Sequence, residues 1–112
     1  MPVRAFRISR ASDFRRVATG GRSFFSPLFR LRYAPNTQGR LRYAVAVSLR
    51  VSKKATVRNR LRRRFSEWLR QHLVGIQASV DLVFSPSAAA IAAPPKQLEA
   101  ELVRALQRLR LL

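Results

Sequence analysis

Cysteine is absent from this 112-residue chain, which excludes a disulfide framework and any thiolate metal site. Acids are nearly as scarce: Asp13, Glu67, Asp81, Glu99 and Glu101 are the whole set, against 23 Lys and Arg. No apolar run reaches the eighteen or so residues that a bilayer crossing needs. The opening "MPVRAFRISR" also lacks the continuous apolar core of a secretory signal, so a cytoplasmic protein without a membrane partner is expected. A single histidine, His72, and no legible Ser-His-Asp set leave nothing for nucleophilic catalysis. Glu99 and Glu101 stand two apart on a helix and so do not face each other. A two-metal nuclease centre needs several convergent carboxylates, and at most Asp13 and Glu67 could meet in space.

What is present is apolar bulk and positive charge. A hydrophobic fraction of 47% in one chain of this length supports one packed core, hence a single domain over residues 1–112. The net charge of +18 opposes compaction, and a polyanion would relieve it while releasing counterions. Nucleic acid is the partner class this favours.

Along the chain, residues 1–10 read as an extended basic arm. "SDFRRVATGG" predicts a short helix capped by Ser12 and ended at Gly20-Gly21, with Phe14 and Val17 on one face and Arg15 and Arg16 pointing elsewhere. "LFRLRY" alternates, so Phe29, Leu31 and Tyr33 share one side of a strand and Arg30 and Arg32 the other. "PNTQGR" predicts a turn, "RYAVAVSL" a strand over 42–49 and "SVDLVFSP" a strand stopped by Pro86. A helix is expected over 55–73 with Gly75 at its end, then the small-residue linker "SAAAIAAPP". A last helix over 94–112 carries a Leu98, Leu102, Ala105, Leu106, Leu109 stripe. This mixed order predicts an α+β two-layer sandwich.

The helix over 55–73 holds "RNRLRRR", five arginines in seven positions. Leu61, Phe65, Trp68, Leu69 and His72 fall within one ~100° arc with Val57 at its margin, so core packing is the expected role of His72. Asn59, Arg60, Arg62, Arg63, Ser66, Glu67 and Arg70 cover the rest, with Arg58 and Arg64 near the boundaries. An ordinary solvated face mixes signs and gains from i,i+4 pairs. Here Glu67 is the one acid, and two like charges 6 Å apart cost about 0.7 kcal/mol even in bulk water. Such uncompensated repulsion points to an anionic partner that is absent from the chain. Arginine forks two hydrogen bonds onto a phosphate, and Asn59 offers a donor and an acceptor toward ribose or base. Basic helices of this kind also occur in ribosomal and DNA-binding proteins, so the run alone leaves those readings open.

The stretch "VSLRVSKKATVRNRLRRRFSEWLR" resembles the protein subunit of bacterial ribonuclease P, whose signature is an Arg-Asn-Arg run on a helix after a strand and paired lysines. Arg58, Asn59 and Arg60 match that run, and Leu61, Arg62, Arg63, Glu67 and Arg70 match its continuation. Upstream "ISRASDFRRVATGGR" and downstream "DLVFSPSA" and "LEAELVRALQRL" are similar to the family's other elements. Leu49 and Arg50 stand where that family has paired lysines, Lys53 and Lys54 being displaced toward the helix. Ser66 and Ser85 replace basic residues.

The resemblance implies an α-β-β-β-α-β-α order with a left-handed βαβ crossover, like the second domain of a small-subunit ribosomal protein. It implies a non-catalytic subunit of an endoribonuclease in which a catalytic RNA, using Mg2+ held mainly by that RNA, removes the 5′ leader of precursor tRNA. The implied partners are that RNA, in a one-to-one complex, and precursor tRNA. Candidate contacts to the catalytic RNA are Arg50, Lys53, Lys54, Arg58, Asn59, Arg60, Arg62 and Arg63. Candidate contacts to the leader are Phe14, for which burial in the first helix's core contact is the alternative to stacking, Arg16, Arg30 and Arg32.

Overall fold

In the computed structural model, which describes residues 7–112, one four-stranded sheet is flanked by three α-helices. The helices are α1 (Ala11–Gly20), α2 (Ala55–Leu73) and α3 (Pro95–Arg108), and the strands are β1 (Arg22–Phe25), β2 (Phe29–Pro35), β3 (Arg42–Val45) and β4 (Val80–Pro86). The order α-β-β-β-α-β-α is the expected one. Most of the basic arm, residues 1–6, lies outside the described residues. Arg7 and Ile8 run alongside β3 through a parallel bridge to Tyr43 and a hydrogen bond from the Ile8 amide to the Tyr43 carbonyl.

Spatially the strands run β1-β2-β4-β3. β4 is antiparallel to β2 and parallel to β3, so α2 forms the crossover of a β3–α2–β4 unit, the one whose hand the resemblance gives as left. Cross-strand partners share a face, which sorts the side chains. Leu31 opposite Phe84, and Tyr33 and Tyr43 flanking Leu82, build the main core face. The alternation read from "LFRLRY" holds: Phe29 and Leu31 are buried while Arg30 is exposed.

Helices α2 and α3 cover this face with Leu61, Phe65, Leu69, Leu98, Leu102 and Leu106. At its centre Phe65 meets Phe29 edge-on, centroids 5.8 Å apart, and Phe84 lies 5.6 Å from Phe29. Quadrupoles favour such tilted contacts over flat sandwiches. Arg64 donates to the Ala90 and Ala93 carbonyls at 3.1 and 2.9 Å, fastening α2 to the linker before α3.

The opposite face is covered over one end only. There α1 packs on β2 and β4 with the fully buried Val17, on the face that carries the small buried side chains of Ala34 and Ala44. Gly21 completes the approach, since a side chain there would collide with the carbonyl oxygens of Val17 and Tyr33.

Several expectations need correcting. Arg10, not Ser12, occupies the N-cap of α1, and no side chain caps that helix. β3 stops at Val45 instead of reaching Leu49: the Ala46 amide makes a last bond to the Phe84 carbonyl, and the chain then turns over residues 49–51 before α2. α3 spans Pro95–Arg108, shorter than 94–112, and Arg110 adopts φ 60° just beyond it. His72 is exposed: it stacks on Trp68 at 3.9 Å outside the core, with its Nδ1 2.8 Å from the Trp68 carbonyl oxygen. The apolar arc drifts along the helix, and Leu73 takes the buried place at that end.

Candidate nucleic-acid interface

The strand that leads into α2 ends on a loop whose cations are all exposed: Arg50, Lys53 and Lys54. The Ser52 hydroxyl accepts from the Lys54 amide at 3.2 Å, and the Ser52 carbonyl accepts from Arg58 at 2.9 Å. Arg58 is therefore half-buried and braces the loop against the first turn of α2. Arg62 is half-buried too and donates to Asn59 Oδ1 at 2.6 Å. That contact leaves the Asn59 Nδ2 donors directed away from the pair. Arg60 and Arg63 project into solvent. Among the described residues, no cation of α2 forms an ion pair. Of the eight candidates for the catalytic RNA, six are exposed and two position their neighbours.

Three of the five acids are engaged elsewhere. Asp81 is fully buried, with Oδ1 accepting from Asn36 at 2.8 Å and from Arg42 Nε at 2.9 Å. Its Oδ2 accepts from Arg42 Nη2 at 2.8 Å and from Arg16. Burial pushes the Asp81 pKa up, but the hydrogen bonds from Arg42 and Asn36 and the charges of Arg42 and Arg16 prevail. They hold it below the ordinary carboxylate value. The same contact with Asp81 raises Arg42 further. Asp13 pairs with Arg42 at 3.2 Å, so it belongs to this arginine cluster. Glu101 is lowered by its hydrogen bonds from Arg104 and then Ser26. Glu67 and Glu99 are exposed. Among the described residues, no three His, Asp or Glu side chains gather as a metal site.

The leader candidates separate into two kinds. Arg30 and Arg32 lie on the sheet face that α1 only partly covers, Arg30 exposed and Arg32 half-buried with its Nε lacking a hydrogen-bond partner. Phe14, half-buried on α1, borders the same face. Arg16 is tied to Asp81 and donates to the Pro35 carbonyl at 2.6 Å, so much of its hydrogen-bonding capacity is spent inside the protein.

One residue escaped the sequence reading. Phe25 on the edge strand β1 is 69% exposed and sits directly opposite Arg30. "RSFF" is too short and too uniform to announce a strand by alternation, so the side to which Phe25 points was not legible. Across the sheet, Arg30 pairs with Ser85, and the Ala46 amide reaches the Phe84 carbonyl where β3 leaves toward the loop of Arg50, Lys53 and Lys54. The open half of the sheet and the loop before α2 thus meet at one end of the molecule.

A family model described as Ribonuclease P matches residues 2–110. This chain belongs to the ribonuclease P protein family. The ribonuclease P protein component of Chloroflexus aurantiacus is 40% identical over 110 residues, covering 97% of this chain and 81% of that protein. That of Roseiflexus castenholzii is 38% identical over 94% of this chain and 86% of its own length. Among solved structures, a Staphylococcus aureus RNase P protein mutant with defective mRNA degradation activity superposes with a TM-score of 0.85 at 25% identity. It covers 96% of this chain and 90% of its own. The family carries with it a role in tRNA processing as part of an endoribonuclease complex, and hence an RNA partner. No helix of the described residues is long and apolar enough to cross a membrane.

Proposed function

We propose that this chain docks on the catalytic RNA of ribonuclease P through α2 and the loop before it, and receives the 5′ leader of precursor tRNA on the open half of its sheet. The observation that carries the reading is the segregation of charge. Arg50, Lys53, Lys54, Arg60 and Arg63 are exposed with no ion-pair partner among the described residues, while Asp13, Asp81 and Glu101 are engaged by Arg16, Arg42 and Arg104. A surface so charged gains most where two polyanions must be held together, since each neutralised phosphate releases counterions.

On the sheet, Phe25 and Phe14 supply faces for unpaired bases, and Arg30 and Arg32 supply guanidinium groups for the backbone between them. Arg16 serves mainly to fix α1 over the sheet. Bond breaking belongs to the RNA with its Mg2+ ions. The protein screens phosphate repulsion, so that less Mg2+ is required, and it positions the leader. One copy per RNA suffices for both contacts.

Reconstitution tests this. Added to a bacterial ribonuclease P RNA at limiting Mg2+, the protein should raise the rate of leader removal from precursor tRNA. No gain would refute the substrate role and leave a structural RNA-binding protein of the ribosomal kind. Cleavage by the protein alone would overturn the assignment of chemistry to RNA.

A further inference from the structure

Beyond α2 and the open sheet, a third cationic feature lies at the far end of β3. A polar cavity of about 470 Å3 is lined by Arg7, Arg10, Arg40 and Arg42, with Ser9 and Ser12 beside them. Three chain segments converge to make it. Arg7 and Arg10 come from the segment that the Arg7–Tyr43 bridge and the Ile8 amide fasten to β3. Arg40 comes from the β2–β3 connection, where Asn36 Nδ2 donates to the Arg40 carbonyl at 3.0 Å and Asn36 Oδ1 accepts from the Gln38 amide at 2.9 Å. Arg42 is fixed by Asp81 beneath it.

We propose that this basin binds a phosphate group, either one of an RNA backbone or a free polyphosphate. Arg7, Arg10, Arg40 and Arg42 all line it, Arg42 with its guanidinium held by Asp81 and Asp13, and the one carboxylate in the wall, Asp13, is already paired with Arg42 and Arg16. Among the described residues, Arg7, Arg10 and Arg40 have no side-chain hydrogen bond or ion pair within the protein, so their donors are available to a ligand. Arginines gathered without internal partners repel unless an anion sits among them.

The start of α1 adds to the same field. Its N-cap residue, Arg10, bonds no helix amide with its side chain, and the hydrogen bonds to the Arg10 carbonyl begin only with the Asp13 and Phe14 amides. Among the described residues the Ala11 and Ser12 amides make no backbone hydrogen bond, and they follow the lining residue Arg10 at the positive end of the helix dipole. The basin is separate from the α2 surface, and its occupancy does not depend on the function proposed above.

Backbone amide NMR on the full chain decides the matter, with chloride holding ionic strength constant. Inorganic pyrophosphate is titrated in one arm and a single-stranded RNA oligonucleotide in the other. The amides of Ser9, Ala11, Ser12 and Arg40 should shift and saturate together. Replacing Arg40 with Gln should weaken that response roughly threefold to fivefold, and Arg40→Lys should recover part of it. The combined R7Q, R10Q and R40Q variant should abolish it while the amides of Leu82 and Phe84 keep their positions. Saturation by pyrophosphate alone identifies free anions as the ligand, and saturation by RNA alone identifies backbone phosphate. Either result supports the site. If only α2 amides respond, or if Arg40→Gln leaves the basin amides responding as before, the proposal is overturned. Leader cleavage in the reconstituted complex is a separate readout and does not decide it.

Discussion

Arg16 and Arg42 close on a buried carboxylate, whereas Arg60 and Arg63 face solvent with no acid in contact among the described residues. The residue type is the same and the consequence is opposite. Around Asp81 the positive charge is internal: it joins α1 and β3 to β4, with the neutral Asn36 of the β2–β3 connection beside it, and its removal is felt by the fold. On α2 the charge is external, so its cost to the isolated chain is recovered only on a polyanion. The comparison shows that arginine count alone says little about function. What matters is whether an acid has been placed within reach.

The largest effect that could break this contrast is at Asp81. Asp81→Ala strands Arg42 and Arg16 beside a buried void and should cost about 3 kcal/mol or more, read from urea unfolding. A loss under 1 kcal/mol would show that the cluster is dispensable. The same carboxylate sets a pH dependence. Its folded pKa lies below its unfolded value, so its contribution is fully present above the ordinary carboxylate pKa, near 4. It is lost as pH falls through the lower folded value. Wild-type stability should therefore drop on acidification below roughly pH 4, and Asp81→Asn should flatten that part of the curve.

Phe25 tests the open sheet. Because its ring is mostly exposed, Phe25→Ala should leave the unfolding midpoint nearly unchanged. It should weaken binding of leader-bearing precursor tRNA by about 1–3 kcal/mol, with tRNA lacking a leader bound as before. Equal loss on both RNAs would remove the stacking role.

Arg60→Ala and Arg63→Ala should shift stability by no more than about 0.5 kcal/mol. Each should lower the slope of log K against log salt for RNA binding by up to about 0.9 per lost phosphate contact. Unchanged slopes would mean that this face meets only water. The smallest effect belongs to His72→Ala: its ring is exposed, so both folding and leader removal should remain at wild-type level in parallel assays.

The contrast also explains how much could be read in advance. The extent of α2 was legible, because the spacing of Leu61, Phe65 and Leu69 and a glycine at position 75, which takes φ 87°, are local signals. The two faces of β2 were legible for the same reason. Asp81 was not, since an acid within "SVDLVF" declares that something must neutralise it but not what. Its partners Arg16, Asn36 and Arg42 come from three other parts of the chain. Nothing local to "SDFRRV" announces that Arg16 reaches Asp81. His72 fell on the apolar side of an ideal helical wheel, yet stacking on Trp68 held it at the surface. β1 lacked alternation, and the orientation of Phe25 follows only from its register with β2.

β4 lies between β2 and β3 in space but after both in the chain, with all of α2 synthesised before it. A growing polypeptide therefore carries its most cationic segment well before the keystone of the sheet is available. Phe29 has to find Pro86, and Val45 has to find Phe84, across that whole interval. Such remote pairing makes assembly slow for a chain of this size. Until translation passes Pro86 the β1–β2 hairpin and β3 have no strand to join them, so a truncation ending at α2 should remain unfolded however well its helix forms.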